Sequence, residues 1–273
     1  MPTMDLVYPP VIGAARLLFR ALGLRIEVEG ADRMPPAGPV VLASNHVSFL
    51  DFTLVGLAAQ PRYVRFLTRH DVFANPFAGP FMRAMRHIPV DREAPAAAYL
   101  TARRMLREGE VVGIFPEAGI SQAYDVRSLM PGAVALAAET GAPLVPLTIW
   151  GPQRIATSRR PTDLTRGRPV SISVGEPLHL ARGADVRAET VALGRLLQGM
   201  LTELQTQERH RPAPGEDAPW HPRHLGGTAP TRIEAAPTES SPLSALRWYD
   251  EPQAGPVATS REPSAIQPLQ EPG

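Results

Sequence analysis

Seven short runs rich in valine and isoleucine recur up to about Glu208: RIEVEG, PVVLASN, YVRFLTR, HIPVDR, VVGIFPE, PLVPLTIWG and VSISVGEPL. Each is the length of a strand and carries strand-favouring residues. Helical patterns fall between them, at 93–108, 131–141 and 186–208, with shorter ones at 50–59 and 76–86. Strands alternating with helices predict an α/β fold, a mainly parallel or mixed central sheet covered by helices. Ligands of such sheets bind beyond the carboxyl ends of the strands, so that edge is where functional side chains are expected.

The alternation stops near Arg209. From RPAPGEDAPWHPRHLGGTAPT to Gly273 the chain is dense in Pro, Gly, Ser, Thr and Glu and poor in aliphatics. Such a segment buries too little apolar surface to offset the entropy of ordering, so 209–273 is expected to be mostly disordered. The piece around Trp220 and HLGG is its candidate for docking back. The compact domain is expected over 25–208. In the first 24 residues, a helix from Pro10 places Val11, Ala15, Leu18 and Leu22 on one face and Arg16 and Arg20 on another. That pattern suits the interface of an anionic membrane; the same face would also serve a first helix packed on the core.

Composition removes several chemistries. The chain has no cysteine, which excludes disulfides, thiolate nucleophiles and Cys-ligated zinc. All 28 basic residues are arginine, which excludes lysine Schiff bases. A net charge of +1 implies no global attraction to nucleic acid. No apolar run reaches the ~18 residues of a membrane span, and no signal-peptide layout is present, so a cytoplasmic position is expected.

The segment LASNHVSFLDF ends an apolar run and sets His46 five residues before Asp51. Ser44 and Asn45 read as turn or cap residues, so His46 falls at a strand end, on the entry to a helix. If His46 precedes that helix, Asp51 can reach its ring, fix the tautomer and leave the other nitrogen to accept a proton. A satisfied structural histidine fits the same residues. A metal site would need further ligands such as His87 or Glu117, and no H-E-x-x-H spacing is present. VVGIFPEAGIS delivers Glu117 at another strand end, and RHIPVDR delivers Asp91 and Arg92 at a third. Arg92 there offers a fork that matches phosphate. The chain has no P-loop, no G-x-G-x-x-G and no G-x-S-x-G elbow.

Taken in order, these blocks resemble the PlsC-type glycerolipid acyltransferases, the lysophosphatidic acid acyltransferase group. Their N-H-x-x-x-x-D block is met by Asn45, His46 and Asp51, and their arginine after a short apolar strand by Arg92. Their F-P-E-G-T-R-S block is met by FPEAGIS, which keeps Phe115, Pro116, Glu117 and Ser121, and their Val-Pro strand by PLVPLTIWG with Pro146. The resemblance spans roughly 25 to 200. It implies that His46 is the general base, Asp51 its orienting partner, and Asn45, Arg92, Glu117 and Ser121 the acceptor-binding set. It also implies direct acyl transfer from acyl-CoA or acyl carrier protein to lysophosphatidic acid, with no bound cofactor. The partners would be a membrane lipid and an anionic membrane surface, and the enzyme would be peripheral on the cytoplasmic face. The chain departs from the pattern at Ile120, where the family has the arginine associated with the acceptor's phosphate. Arg127 or Arg83 would then be substitutes. Other lysolipid, glycolipid or amino-lipid acceptors, or a decayed lipid-binding protein, are the alternatives.

Overall fold

The computed structural model describes residues 6–91, 94–239, 242 and 244–249. Helix α1 (Tyr8–Ala21) leads into β1 (Arg25–Glu29), β2 (Val40–Ser44), α2 (Asp51–Ala58) and β3 (Val64–Arg69). Two short helices, α3 (His70–Ala74) and α4 (Ala78–Ala84), precede β4 (Ile88–Val90). Then follow α5 (Pro95–Arg107), β5 (Val111–Ile114), α6 (Gly132–Thr140), β6 (Leu144–Trp150), β7 (Pro169–Val174) and α7 (Val186–Thr206). All seven predicted strands form; α3 was not anticipated, being a single turn without its own apolar period.

The strands make one sheet in the order β1-β7-β6-β2-β5-β3-β4. Only the β6–β7 pairing is antiparallel, so the sheet is mixed. Alternation along the central strands sorts two cores. Val41 and Ala43 of β2 and Val112 and Ile114 of β5 pack against α5, α6 and α7. Val40 and Leu42 of β2 and Val111 of β5 meet Leu54, Val55 and Ala58 of α2 and Phe19 of α1. Pro146 is tolerated in central β6 because β7 pairs with that strand only from Leu147 onward.

The inward stripe of α1 is Tyr8, Ile12 and Phe19, with Ala15 half-buried beside it. Tyr8 sets this rotation: its hydroxyl accepts from the Val64 N–H at 3.0 Å, and its ring stacks on Tyr63 at 4.4 Å. Of the predicted apolar face, Leu18 points outward at 49% exposure, beside Leu17 at 69%. The helix therefore packs on the core along one stripe and presents leucines on another.

The expectation of a mostly disordered segment from Arg209 is corrected over 209–239. Ala218, Trp220 and Ala229 join the core formed by α5, α6 and α7. Trp220 lies under the Arg154 guanidinium at 3.7 Å from the ring centre. His210 is buried against the Ser171 hydroxyl at 2.8 Å. Composition misled here because prolines reduce the entropy that ordering must overcome, and a few large side chains then suffice. Beyond 239 the same reading falls largely outside the described residues.

The buried histidines make stability acid-sensitive. Burial pushes His210 down to about 3 and His87 to about 4, from an ordinary 6.5, so both are neutral in the fold. Unfolded, they take up protons below 6.5, so their contribution is whole above that pH and is lost as pH falls toward 3. His210→Gln should flatten the acid limb of urea-unfolding stability relative to wild type between pH 6.5 and 4. Parallel curves for the two proteins would show that His210 does not titrate on unfolding.

Candidate active site

Strands β6, β2, β5, β3 and β4 run the same way, so their carboxyl ends share one edge. His46 follows β2, between the ends of β6 and β5. The chain turns at 45–50 and starts α2 at Asp51, which carries the carboxylate back over the turn. Asp51 Oδ2 lies 2.8 Å from His46 Nδ1 and also accepts the N–H groups of Val47 (2.7 Å) and Ser48 (2.8 Å). An oxygen already accepting two N–H groups makes Nδ1 the donor of the pair, which leaves Nε2 as the acceptor. Asp51 is fully buried, and its Oδ1 has no hydrogen-bond partner among the described residues. The imidazole keeps 22% of its side-chain surface exposed, so the pair has one closed end and one open end.

An aromatic stack fixes the ring from the β5 side. His46 lies on Phe115 at 4.3 Å, and Phe115 lies on Phe66 of β3 at 5.8 Å and 7°. Gly113 makes room for this stack, since a Cβ there would sit 2.6 Å from the Phe66 ring. The glycine in VVGI is the signal that could have revealed the stack, because a glycine inside a strand marks close approach by a neighbour.

Glu117 braces the site. One carboxylate oxygen accepts the His46 N–H at 2.6 Å and the other the Arg127 N–H at 2.8 Å. Burial pushes Glu117 up to about 8, opposed by those two N–H donors and the Arg127 charge and reinforced by Glu239. Asn45 clamps β2 to β6, donating to the Ile149 carbonyl (3.1 Å) and accepting the Ile149 N–H (2.7 Å). The Ser121 N–H donates to the His46 carbonyl at 2.8 Å, and its hydroxyl to the Asp125 carbonyl at 2.7 Å. Asn45, Glu117 and Ser121, expected as acceptor contacts, are thus buried and turned toward the backbone. Arg92 lies outside the described residues; β4, which it follows, ends on the site edge.

Of the expected substitutes for the missing arginine, Arg83 is exposed on α4, whereas Arg127 is buried beside Gly119. A Cβ on Gly119 would meet Arg127 Nη1 at 2.5 Å, so glycine there is what lets the guanidinium lie against the loop. Arg127 pairs with Glu239 at 2.9 Å, and Glu239 also accepts the Gln122 N–H at 2.6 Å. The sequence reading missed Glu239, since it sits in the Pro-rich segment and contacts a loop more than 100 positions earlier. Among the described residues no group of three His, Asp or Glu is placed to hold a metal ion.

Fold and site together define an α/β protein with a strand-end histidine oriented by a buried carboxylate. Residues 25–150 match the family model described as Acyltransferase. A 1-acyl-sn-glycerol-3-phosphate acyltransferase of Bacillus subtilis (strain 168) is 30% identical over 71% of this chain and 96% of its own length. The chloroplastic 1-acyl-sn-glycerol-3-phosphate acyltransferase LPAT1 of Arabidopsis thaliana is 32% identical over 59% of this chain and 46% of its own. The crystal structure of the 1-acyl-sn-glycerophosphate (LPA) acyltransferase PlsC from Thermotoga maritima shares the fold, with TM-score 0.60 and 20% identity over 76% of this chain and 85% of that one. The chain belongs to the acyltransferase family, in its PlsC-type group. It is an O-acyltransferase.

Proposed function

We propose that the protein transfers a fatty acyl group from acyl-CoA or acyl carrier protein to the free hydroxyl of lysophosphatidic acid, giving phosphatidic acid. The observation that carries this reading is the oriented His46–Asp51 pair with its open Nε2 at the strand edge. Nε2 takes the proton of the glycerol hydroxyl as its oxygen attacks the thioester carbonyl, and Asp51 stabilises the imidazolium that forms. The tetrahedral intermediate then collapses, the C–S bond breaks, and the thiolate leaves with the proton returned from His46. No acyl-enzyme is required. Phe115 and Glu117 hold the base from its ring face and its backbone, so the geometry is set before substrates arrive.

Both substrates carry apolar chains. Among the described residues no helix is long and apolar enough to cross a membrane. The outward Leu17 and Leu18, with Arg16 and Arg20 on the same helix, suit peripheral association with an anionic surface on the cytoplasmic side. Liposome flotation of Leu18→Glu should weaken with the fold intact; unchanged flotation would remove α1 from the contact.

Arg92 is proposed as the acceptor's phosphate clamp, since Ile120 stands where the family has its arginine. A charge-assisted hydrogen bond contributes ~1.5–3 kcal/mol, so Arg92→Ala should lower kcat/KM for lysophosphatidic acid by about 10- to 150-fold. Arg92→Lys should restore part of this, lacking the fork. The change at Ile120 also supports a second reading, in which the acceptor is a lysolipid without a terminal phosphate. Thioester consumption across phosphorylated and unphosphorylated lysolipids decides between them. Equal losses in Arg92→Ala on both acceptors would favour the second.

A further inference from the structure

Of the eight phenylalanines in the chain, three stay exposed: Phe49 at 56%, Phe77 at 83% and Phe81 at 54%. The other five are buried or half-buried, Phe66 and Phe115 in the stack on His46. Phe49 falls three residues after His46, in the turn that follows β2. Phe77 caps the start of α4 and Phe81 lies one turn on, so the two rings share one face of the helix.

The fold places both groups at one edge. Helix α3 leaves the carboxyl end of β3 directly, and a Cβ on Gly79 would strike the Phe73 carbonyl at 2.3 Å, so the start of α4 is held against α3. The far end of α4 is tied to the beginning of the strand, where Arg65 donates to the Met85 carbonyl at 2.9 Å. Phe77 therefore stands at the end of α4 nearer the carboxyl edge, the edge that carries His46 and Phe49.

Charge and continuity select what covers these rings. Neither α1 nor α4 contains an acid, and Arg16, Arg20 and Arg83 are exposed on them. Asp71, the one acid of α3, is ion-paired with Arg69 at 2.6 Å. Met85, at the end of α4, packs in one cluster with Tyr8 and Ile12 of α1, so α4 lies beside the helix that turns Leu17 and Leu18 outward. Large apolar side chains standing among arginines match the boundary of an anionic bilayer, where rings enter the acyl region and guanidiniums meet phosphates. We propose that Phe49, Phe77 and Phe81 insert into the membrane, so that the carboxyl edge of the sheet, and not α1 alone, meets the bilayer. His46 then opens toward the lipid, and an acceptor reaches Nε2 without leaving the surface. That route rests on the acyl-transfer reading, whereas the membrane contact is measured without turnover.

Because the chain has no cysteine, a nitroxide can be attached at one introduced site. On vesicles of phosphatidylglycerol and phosphatidylcholine, labels on Phe49→Cys and Phe77→Cys should become shielded from a water-soluble nickel relaxant and open to oxygen. A label on Leu100→Cys, exposed at 51% on α5 across the sheet, should stay as it is in solution. Phe77→Ala should lower the vesicle partition coefficient about 10-fold, and the pair Phe77→Ala and Phe81→Ala about 100-fold, with unchanged melting. Arg83→Gln should lower it about 5-fold on these vesicles and not on pure phosphatidylcholine. Water-like accessibility at positions 49 and 77 on bound protein would overturn the proposal. If Leu18→Glu still weakened flotation in that case, peripheral association through α1 would stand alone; if it did not, both readings would fall. A dimer in sedimentation without vesicles, broken by Phe77→Ala while partitioning is unchanged, would assign the face to a second copy of the chain and also overturn it.

Discussion

His46→Ala is expected to lower acyl transfer by at least ~10²–10⁴-fold, the usual contribution of a positioned general base, with little change in KM for either substrate. The fold should survive, because the ring is partly open to solvent and its main packing partner, Phe115, also stacks on Phe66. Asp51→Asn should approach the same loss by a different route. Oδ2 makes the ring bond and both N–H bonds, so an amide oxygen there can keep all three, but it carries no charge to stabilise the imidazolium, and its NH2 takes the buried, unpartnered place of Oδ1. The base would keep its tautomer but lose the counter-charge for the proton it takes up. Thermal unfolding and initial rates of thioester consumption, measured on the same preparations, separate these effects from misfolding. Transfer by His46→Ala within tenfold of wild type would remove His46 as the base.

The middle of the sheet was legible because β2 and β6 bury both faces and so read as unbroken apolar runs. Strand order was not, since LASNH and FPEAG meet through a sheet register that no local pattern encodes. Spacing made the His46–Asp51 contact conditional on where the helix starts, and the structure meets that condition by starting α2 at Asp51. The roles of Asn45, Glu117 and Ser121 were not legible. Each is a polar residue on a segment that follows a strand, and only the fold shows which backbone groups it bonds. The rotation of α1 escaped for a similar reason. Leucines recur on two overlapping stripes, and the Tyr8 hydroxyl bond to Val64, 56 positions away, selects between them.

A chain ending at Glu208 is expected to lose the fold, against what composition alone implies. Removing His221 strips Trp150 of its edge-on neighbour, and removing Trp220 leaves Arg154 without its aromatic lid. Deleting a large buried aromatic costs ~3–5 kcal/mol. The same cut strips Glu239 from the buried Arg127, and breaking a buried ion pair from one side costs a further ~3–5 kcal/mol. It also removes the paired backbone bonds between Leu129 and Leu246 (2.8 and 2.9 Å) and the Trp248 indole bond to the Arg127 carbonyl (2.9 Å). These losses approach the ~5–15 kcal/mol that holds a typical domain together. They also fall on the 117–130 loop that carries Glu117, so a chain cut between Ala229 and Glu239 should fold more weakly and position His46 less well. Circular dichroism melts of chains ending at Glu208, Thr231 and Tyr249 give the order of stability, and kcat of the folded ones reports the loop. A Glu208 chain that melts cooperatively near the temperature of the Tyr249 chain would show that the segment rests on the domain without supporting it.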